Sequence, residues 1–410
     1  MNSKIFAMIL VLVPAGLRAQ SVTFDEYIRA VARDNVSAIA EKYSLDIADA
    51  NLRAAKVFND PELSISYGNN QDKVLMMGQN LDFELGYDVN LAGARKARIN
   101  VAKSEKEMTE ASLNDYMCQL RADASLAWAE AWKLRQQCRL MEDQMEAMKK
   151  IAQSDSLRLK LGDISATDAA QSALEARAMV GELMTLRSEY RNALRDLSLM
   201  AGGMPVGDIA EESLPFSDIM YSETELYEIA DMERSDLRAA ELSHTLSENN
   251  LALVKASRAL DLGLSFGYSF NTEVRNEIAP APAFKGLTVG VTIPLKFSSL
   301  NRGEVNAAKA ESAQMKTYYE AAKAQVMTEV AQAYSSYLAA REVKNAYSDE
   351  IVNSAASILA KRTSAYQKGD VSLIELLAAR QTYNEIMEAC IEAECSYYES
   401  VVMLNRAIGR

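Results

Sequence analysis

The sequence has few of the residues on which catalysis, metal binding or nucleic-acid binding usually depend. Its 410 residues include one histidine, seven prolines and four cysteines, and no glycine-rich nucleotide-binding motif follows a predicted strand. The net charge is −13, so the chain lacks the basic surface of a nucleic-acid-binding protein. His244 stands alone on a predicted helix, where a surface position is expected. These scarcities argue against an enzyme, a cofactor or metal site, and a nucleic-acid partner.

The longest apolar run lies at the N-terminus and is too short to cross a membrane as a helix. It covers residues 5–13, whereas a spanning helix needs about 20 apolar residues. The flanking residues are Lys4 on one side and Pro14, Gly16 and Ala19 on the other. This layout predicts a secretory signal peptide over residues 1–19 and therefore an exported protein.

The four cysteines do not form a local disulfide framework. Cys118 and Cys138 fall in one predicted helix, and Cys390 and Cys395 fall in another. Neither pair has the separation and direction that a disulfide requires. We expect buried free thiols, with a disulfide between helices as the alternative.

An internal duplication runs through most of the chain. Residues 51–68 resemble residues 250–267 at an offset of 199 positions, including a Leu-x-x-Ser-aromatic-Gly pattern that ends at Gly68 and at Gly267. The offset is 206 where Ala102 matches Ala308. It is 207 where Gly162-Asp163 matches Gly369-Asp370. The order and spacing predict two tandem repeats of about 200 residues each, a helix, two strands and a long helical hairpin in each repeat.

The strands are predicted at about residues 62–71, 80–91, 261–271 and 285–295. In the second of these, apolar side chains from Leu81 to Leu91 alternate with Asp82, Glu84, Asp88 and other polar or small residues. Strict alternation over about ten residues, with aromatic residues on the apolar face, is typical of outer-membrane strands. A soluble sheet with one face on a core is the alternative.

Two long helices are predicted after the strand pairs, over about residues 93–159 and 303–367. In the first helix, apolar residues from Leu113 to Ala152 recur at steps of three and four, which is a heptad seam. Its methionines and Cys138 are therefore expected to pack rather than to bind metal. Both helices end at a Gly-Asp turn and reverse into predicted helices at 166–200 and 373–408.

Four strands are too few to close a membrane barrel. A membrane-spanning sheet cannot leave its edges open in lipid, and spanning barrels have at least about eight strands. Several copies must therefore share one barrel, and three copies would supply 12 strands.

Short motifs lie where these elements join. They are Asp60-Pro61-Glu62-Leu63 at a strand entry, Gly93-Ala94-Arg95-Lys96-Ala97-Arg98 at a strand exit, and Tyr366 with Gly369 at a hairpin turn. On these motifs the sequence resembles the TolC-type outer-membrane efflux proteins, and the first two are most similar to the branch that serves heavy-metal and other cation pumps. The resemblance implies a mainly α chain with a transmembrane β portion. It implies a homotrimer whose 12-stranded barrel in the outer membrane continues as an α-helical barrel in the periplasm.

The resemblance also implies the domain organisation and the partners. The repeats would cover residues 20–202 and 223–410, joined by an equatorial connector at 203–222. The trimer would contact outer-membrane lipid and form the exit duct of a tripartite efflux system. A periplasmic adaptor (membrane fusion protein) and an inner-membrane pump of the resistance-nodulation-division type would deliver the substrate.

A closable entrance is implied at the two hairpin turns, Gly162 and Gly369. In the family, an Asp six residues after the first glycine links to a Tyr three residues before the second, and these positions are Asp168 and Tyr366 here. Glu375 occupies the position of an acidic residue that narrows the family's entrance and binds cations. Two other family positions differ, because Val371 replaces a basic residue and Ala378 replaces an Asp. The alternative for Asp168 is that it caps the start of a helix.

The wall of the duct is predicted to be acidic. Asp82, Glu84 and Asp88 point inward on one strand, and Asp261 faces the same way on another. Their charge would raise the local cation concentration in the lumen. These carboxylates would also serve simply to keep the wall hydrated.

Two other functions are compatible with parts of the sequence. A periplasmic coiled-coil scaffold would explain the helices but not the strands, and an outer-membrane duct for polypeptide secretion would use the same architecture. The sequence does not identify the exported substrate, which leaves drugs, metal ions and polypeptides as alternatives.

Overall fold

The computed structural model describes residues 21–71, 76–210, 213–215, 219–259, 261–295, 297 and 302–410. The predicted signal peptide, residues 1–19, lies outside these described residues. In chain order the elements are β1 Ser21–Val22, α1 Phe24–Asp34, α2 Val36–Ala55, β2 Glu62–Asn69, β3 Gln79–Asn90, α3 Ala94–Leu161, α4 Ala166–Met200, β4 Asp208–Ile209, α5 Glu223–Glu233, α6 Ser235–Ser257, β5 Asp261–Asn271, β6 Phe284–Thr292, α7 Gly303–Ala346, α8 Asp349–Lys368 and α9 Leu373–Ala407. The prediction of a mainly helical chain with a β portion is confirmed.

The chain folds as two units, and the first contains the four-stranded sheet. This unit consists of Ala40–Asp115 and Asp231–Thr328. Its sheet is antiparallel with the order β2-β3-β5-β6, so the two repeats meet where β3 pairs with β5. Polar contacts join the helices of this unit. Asn249 on α6 donates to the Ser104 hydroxyl on α3 at 2.7 Å.

The second unit contains the ends of the long helices and an aromatic core. It consists of residues 21–39, Tyr116–Ala230 and Glu329–Arg410. Trp128 on α3 is fully buried there, stacked on Tyr27 with ring centroids 5.3 Å apart. The short strands β1 and β4 pair in parallel beside this core. All four cysteines are free thiols, and Cys138 and Cys395 are buried.

The second long helix is broken, which corrects the prediction of one continuous helix over about 303–367. Helix α7 ends at Ala346 and α8 begins at Asp349. Between them, Ser348 adopts extended backbone angles (φ −69°, ψ 161°) as the N-cap of α8. A serine followed by two acidic residues is a favourable helix start, because the acidic side chains interact with the positive end of the helix dipole. The corresponding part of the first repeat lies inside the continuous 68-residue α3.

In the described part of the chain, no helix combines the length and the apolar character needed to cross a membrane.

Candidate pore face and entrance

One face of the sheet carries a concentration of carboxylates. Residues directly opposite each other in paired strands point to the same face. The register places Asp82 opposite Ser66 and Ser269, and Glu84 opposite Ser64 and Gly267. It also places Asp261 opposite Asn90, two residues after Asp88, so all four predicted acidic residues share one face.

A fifth carboxylate on this face was missed by the sequence reasoning. Glu62 lies opposite Gly86, between the levels of Glu84 and Asp88. Its position at the start of the alternating pattern with Ser64 was the signal that could have found it. No lysine or arginine occupies this face in the described residues of β2, β3, β5 and β6, since Lys285 pairs opposite Phe270 on the other face.

Two of the acidic side chains accept hydrogen bonds from neutral amides. The Asn80 amide donates to the Asp82 carboxylate at 2.6 Å, and the Asn90 amide donates to the Asp261 carboxylate at 2.6 Å. Glu84 and Asp88 are exposed. Because no basic side chain neutralises this face within the described strands, its negative charge is available to ions in solution.

Small residues occupy much of the rest of the polar face, so few large side chains project from it. A Cβ on Gly290 would lie 2.5 Å from the Ser265 hydroxyl, and a Cβ on Gly68 would lie 2.2 Å from the Asn80 amide oxygen. Both distances are shorter than any normal contact, so a side chain at either position would displace its neighbour. The acidic residues of β3 therefore project from a wall of glycine, serine and threonine.

The opposite face of the sheet is apolar and exposed. Its exposed large side chains include Leu63, Ile65, Tyr67, Leu85, Leu264, Phe266, Leu287, Val289 and Val291. A continuous apolar surface of this kind is rarely left in water and marks contact with lipid or another protein. The sheet thus separates an acidic face from an apolar face.

The candidate entrance is formed by two helical turns with the same local structure. Gly162 and Gly369 both adopt left-handed angles, with φ of 82° and 84°. After each turn a serine caps the next helix. The Ser165 hydroxyl accepts from the backbone N–H of Asp168 at 3.0 Å, and Ser372 accepts from Glu375 at 3.3 Å. The duplication therefore extends to the caps of α4 and α9.

Asp168 and Glu375 belong to these caps. The Ser165 hydroxyl also donates to the Asp168 carboxylate at 2.8 Å. Glu375 accepts from Ser372 and forms an ion pair with Arg362 at 3.1 Å. Among the described residues no hydrogen bond joins Asp168 to Tyr366, although the Asp168 charge is near enough to contribute to the raised pKa of Tyr366.

Tyr366 contacts α3, the first long helix. Arg158 donates to the Tyr366 carbonyl at 3.2 Å, and its guanidinium lies 5.3 Å from the centre of the Tyr366 ring. Asp155 is fully buried and lies 3.9 Å from Arg158. Burial, followed by interaction with the neighbouring Asp155, raises the pKa of Tyr366. Sequence reasoning missed Asp155 and Arg158, because they lie in the middle of a uniformly helical pattern.

The described residues offer no metal site of the usual kind. No group of three or more His, Cys, Asp or Glu side chains in this part of the chain is arranged to hold a metal ion.

The second repeat carries the decisive similarity to known proteins. Residues 226–410 match the family model described as outer membrane efflux protein. The second repeat is therefore that of an outer membrane efflux protein. The fold is that of outer-membrane channels, and the chain is an outer-membrane efflux duct rather than an enzyme. Its homologues and structural neighbours are outer-membrane efflux channels with a long periplasmic helical extension.

Individual members of the efflux protein family are similar over nearly the whole chain. The cobalt-zinc-cadmium resistance protein CzcC of Cupriavidus metallidurans is 21% identical, covering 96% of this chain and 91% of CzcC. The outer membrane efflux protein BepC of Brucella suis is also 21% identical, covering 96% of this chain and 87% of BepC. The crystal structure of the outer membrane protein VceC from Vibrio cholerae has a TM-score of 0.76 at 17% identity, covering 94% of this chain and 95% of that chain. Outer membrane efflux proteins form trimers and work with adaptors and inner-membrane pumps.

Proposed function

We propose that three copies of this chain form one closed 12-stranded barrel that continues as a periplasmic helical barrel. The observation that carries this proposal is the open four-stranded sheet. Strands β2 and β6 each have one edge without a partner among the described strands, and the exposed apolar face is suited to lipid. In lipid an open edge leaves backbone groups unsatisfied at several kcal/mol each, so closure by further copies is favoured.

The trimer is tested by mass in detergent. Purified protein in mild detergent should have the mass of three chains by light scattering after correction for bound detergent. A variant lacking Phe284–Thr292 should fail to form the trimer, because β6 supplies one of the two strand edges that close the barrel. A stable monomer that keeps its full β signal would contradict the proposal.

The duct is further proposed to prefer cations. This follows from the acidic face with Glu62, Asp82, Glu84, Asp88 and Asp261, which in a closed barrel would line the lumen in three copies. The similarity to a cobalt-zinc-cadmium resistance protein supports metal cations as the exported substrate. A wall with one sign of charge concentrates ions of the opposite sign.

Neutralising the β3 carboxylates should reduce this preference. We expect the triple variant Asp82→Asn, Glu84→Gln, Asp88→Asn to lower the cation-to-anion permeability ratio several-fold, because three copies lose nine charges together. Reversal potentials across planar bilayers in a salt gradient give the ratio. The control is Glu223→Gln with Glu225→Gln, which removes charge from α5, outside the sheet. Equal permeability of cations and anions in the unchanged channel would contradict cation preference.

The entrance is proposed to close when no pump is bound. The hairpin turns at Gly162 and Gly369 would meet at the periplasmic end, and Tyr366, Asp168 and Glu375 would stand at the gate. The contacts of Tyr366 with Arg158 and Asp155 support a tie between α8 and α3. A periplasmic adaptor and a pump of the resistance-nodulation-division type are the proposed partners, and residues 203–222 are the proposed equatorial connector.

A further inference from the structure

The internal duplication and the strand registers together predict how one copy would pair with the next. Gly68 on β2 and Gly267 on β5 are equivalent positions in the two repeats. Gly68 pairs with Asn80 in the β2–β3 hairpin, and Gly267 pairs with Thr288 in the β5–β6 hairpin. Asn80 on β3 and Thr288 on β6 are therefore structurally equivalent, and the two strands correspond residue by residue from there.

Strands β3 and β5 belong to different repeats, so their pairing shows how one repeat contacts the next. Within the chain, Glu84 on β3 pairs with Gly267 on β5. The β6 residue equivalent to Glu84 is Thr292, and the β2 residue equivalent to Gly267 is Gly68. Applying the same contact between copies places Thr292 opposite Gly68 of the neighbouring copy.

We propose that Ile293, Leu295 and Phe297, which follow β6, lie along β2 of the neighbouring copy in one register. Ile293 then lies opposite Tyr67, Leu295 opposite Ile65, and Phe297 opposite Leu63. This inference rests on the trimer proposed above and adds the residue pairs at its sheet interface. The occupant of the free β2 edge is a second copy of this chain.

The exposed residues on both sides fit this register. Alternation of apolar and other residues continues past the end of β6, with Ile293, Leu295 and Phe297 all exposed. Within the chain their pairing stops because the ladder ends with Thr292 opposite Gly263, close to the start of β5. The proposed partners on β2 are exposed as well, and the register places apolar side chains opposite apolar side chains.

The helices next to the sheet support the same relation between copies. Tyr43 on α2 is 61% exposed, whereas the equivalent Leu242 on α6 is 6% exposed. Helix α6 contacts the first repeat of its own chain, where Asn249 bonds Ser104 on α3. By the same relation, α2 would pack against the second repeat of a neighbouring copy. Tyr43 is exposed in the single chain because that neighbour is absent.

Disulfide trapping between copies tests the register. Two matched double variants place cysteines opposite each other: Tyr67→Cys with Ile293→Cys, and Leu63→Cys with Phe297→Cys. Directly opposed Cβ atoms lie about 4.5–5.5 Å apart, within reach of a disulfide after small adjustment. Oxidation with copper–phenanthroline should shift most of each matched variant to a covalent trimer on non-reducing gels.

The four introduced cysteines also supply the control when they are combined in the other two pairs. Leu63→Cys with Ile293→Cys, and Tyr67→Cys with Phe297→Cys, separate the thiols by four residues, about 14 Å along the strand. Both should remain monomeric on non-reducing gels, as should each single variant, which also controls for the four native cysteines.

The outcomes separate the register from the trimer. A stronger crosslink in Tyr67→Cys with Val291→Cys would overturn the proposed register in favour of a slip of two residues, the slip given by the 206-residue offset of the following helices. Crosslinking of the swapped pairs would overturn it as well. If light scattering shows a trimer while the matched pairs fail, the register is wrong and the trimer stands. If no trimer forms, the proposed function itself fails.

Discussion

A channel carrying Arg158→Gln together with Tyr366→Phe should leak at rest, with a conductance in planar bilayers roughly tenfold above that of the unchanged channel. Arg158 donates to the Tyr366 carbonyl at 3.2 Å. The buried Asp155 is near enough to raise the pKa of Tyr366, although no hydrogen bond joins the two side chains in the structure. Hydrogen bonds to charged groups contribute about 1.5–3 kcal/mol each, and about 1.4 kcal/mol changes an equilibrium tenfold. Separation of the α3 and α8 tips on opening would break these contacts.

An exposed ion pair next to the second helical turn supplies a control for this leak. Arg362 pairs with Glu375 at 3.1 Å on the second hairpin, but both side chains are about half exposed. Exposed ion pairs contribute at most about 1 kcal/mol, so Arg362→Gln should change resting conductance by less than about fivefold. Unchanged resting conductance of the Arg158 and Tyr366 double variant, in a channel that still assembles as a trimer, would show that this tie does not hold the gate.

A second pair of substitutions separates the two proposed roles of Asp168. Asp168→Ala with Tyr366→Phe should raise resting conductance above that of Tyr366→Phe alone if the Asp168 carboxylate helps to close the entrance. Ser165→Ala removes the cap of α4 while leaving that carboxylate in place. A leak in the capping variant as large as in the Asp168 variant would assign Asp168 to the helix cap alone.

Trp128→Ala should cause the largest loss of stability in the helical unit that contains it. Trp128 is fully buried, stacks on Tyr27 at 5.3 Å and meets the edge of Phe24 at 5.7 Å. Truncating a buried tryptophan to alanine costs about 3–5 kcal/mol, because the lost contacts leave a cavity. The midpoint of denaturant unfolding in detergent, followed by circular dichroism, should fall markedly.

An exposed residue of the same unit serves as the control for this loss. Leu199 on α4 is 76% exposed, so Leu199→Ala should shift the midpoint little. Equal midpoints for Trp128→Ala and the unchanged protein would contradict the assignment of this aromatic cluster as the core of the unit.

The local patterns of the sequence determined the elements and their faces. Alternation from Leu81 to Leu91 predicted a strand with Asp82, Glu84 and Asp88 on one side, and the register places all three on one face. This succeeds because side chains in a strand alternate with period two, whichever strand lies beside it. The long helix after β3 was predictable for the same kind of reason, since its apolar seam follows the helical period.

The tertiary structure decided which distant residues meet. The pairing of β3 with β5, which joins the repeats, depends on strands separated by more than 150 residues, and no local period encodes it. The break before Ser348 has a local signal, but a favourable helix start inside a helical pattern does not by itself end the preceding helix. Tyr366 was predicted as a gate residue, yet its contacts come from Asp155 and Arg158 on α3, more than 200 residues earlier. Periodicity determines which way a side chain points along its own element, whereas its neighbours are determined by how the elements pack.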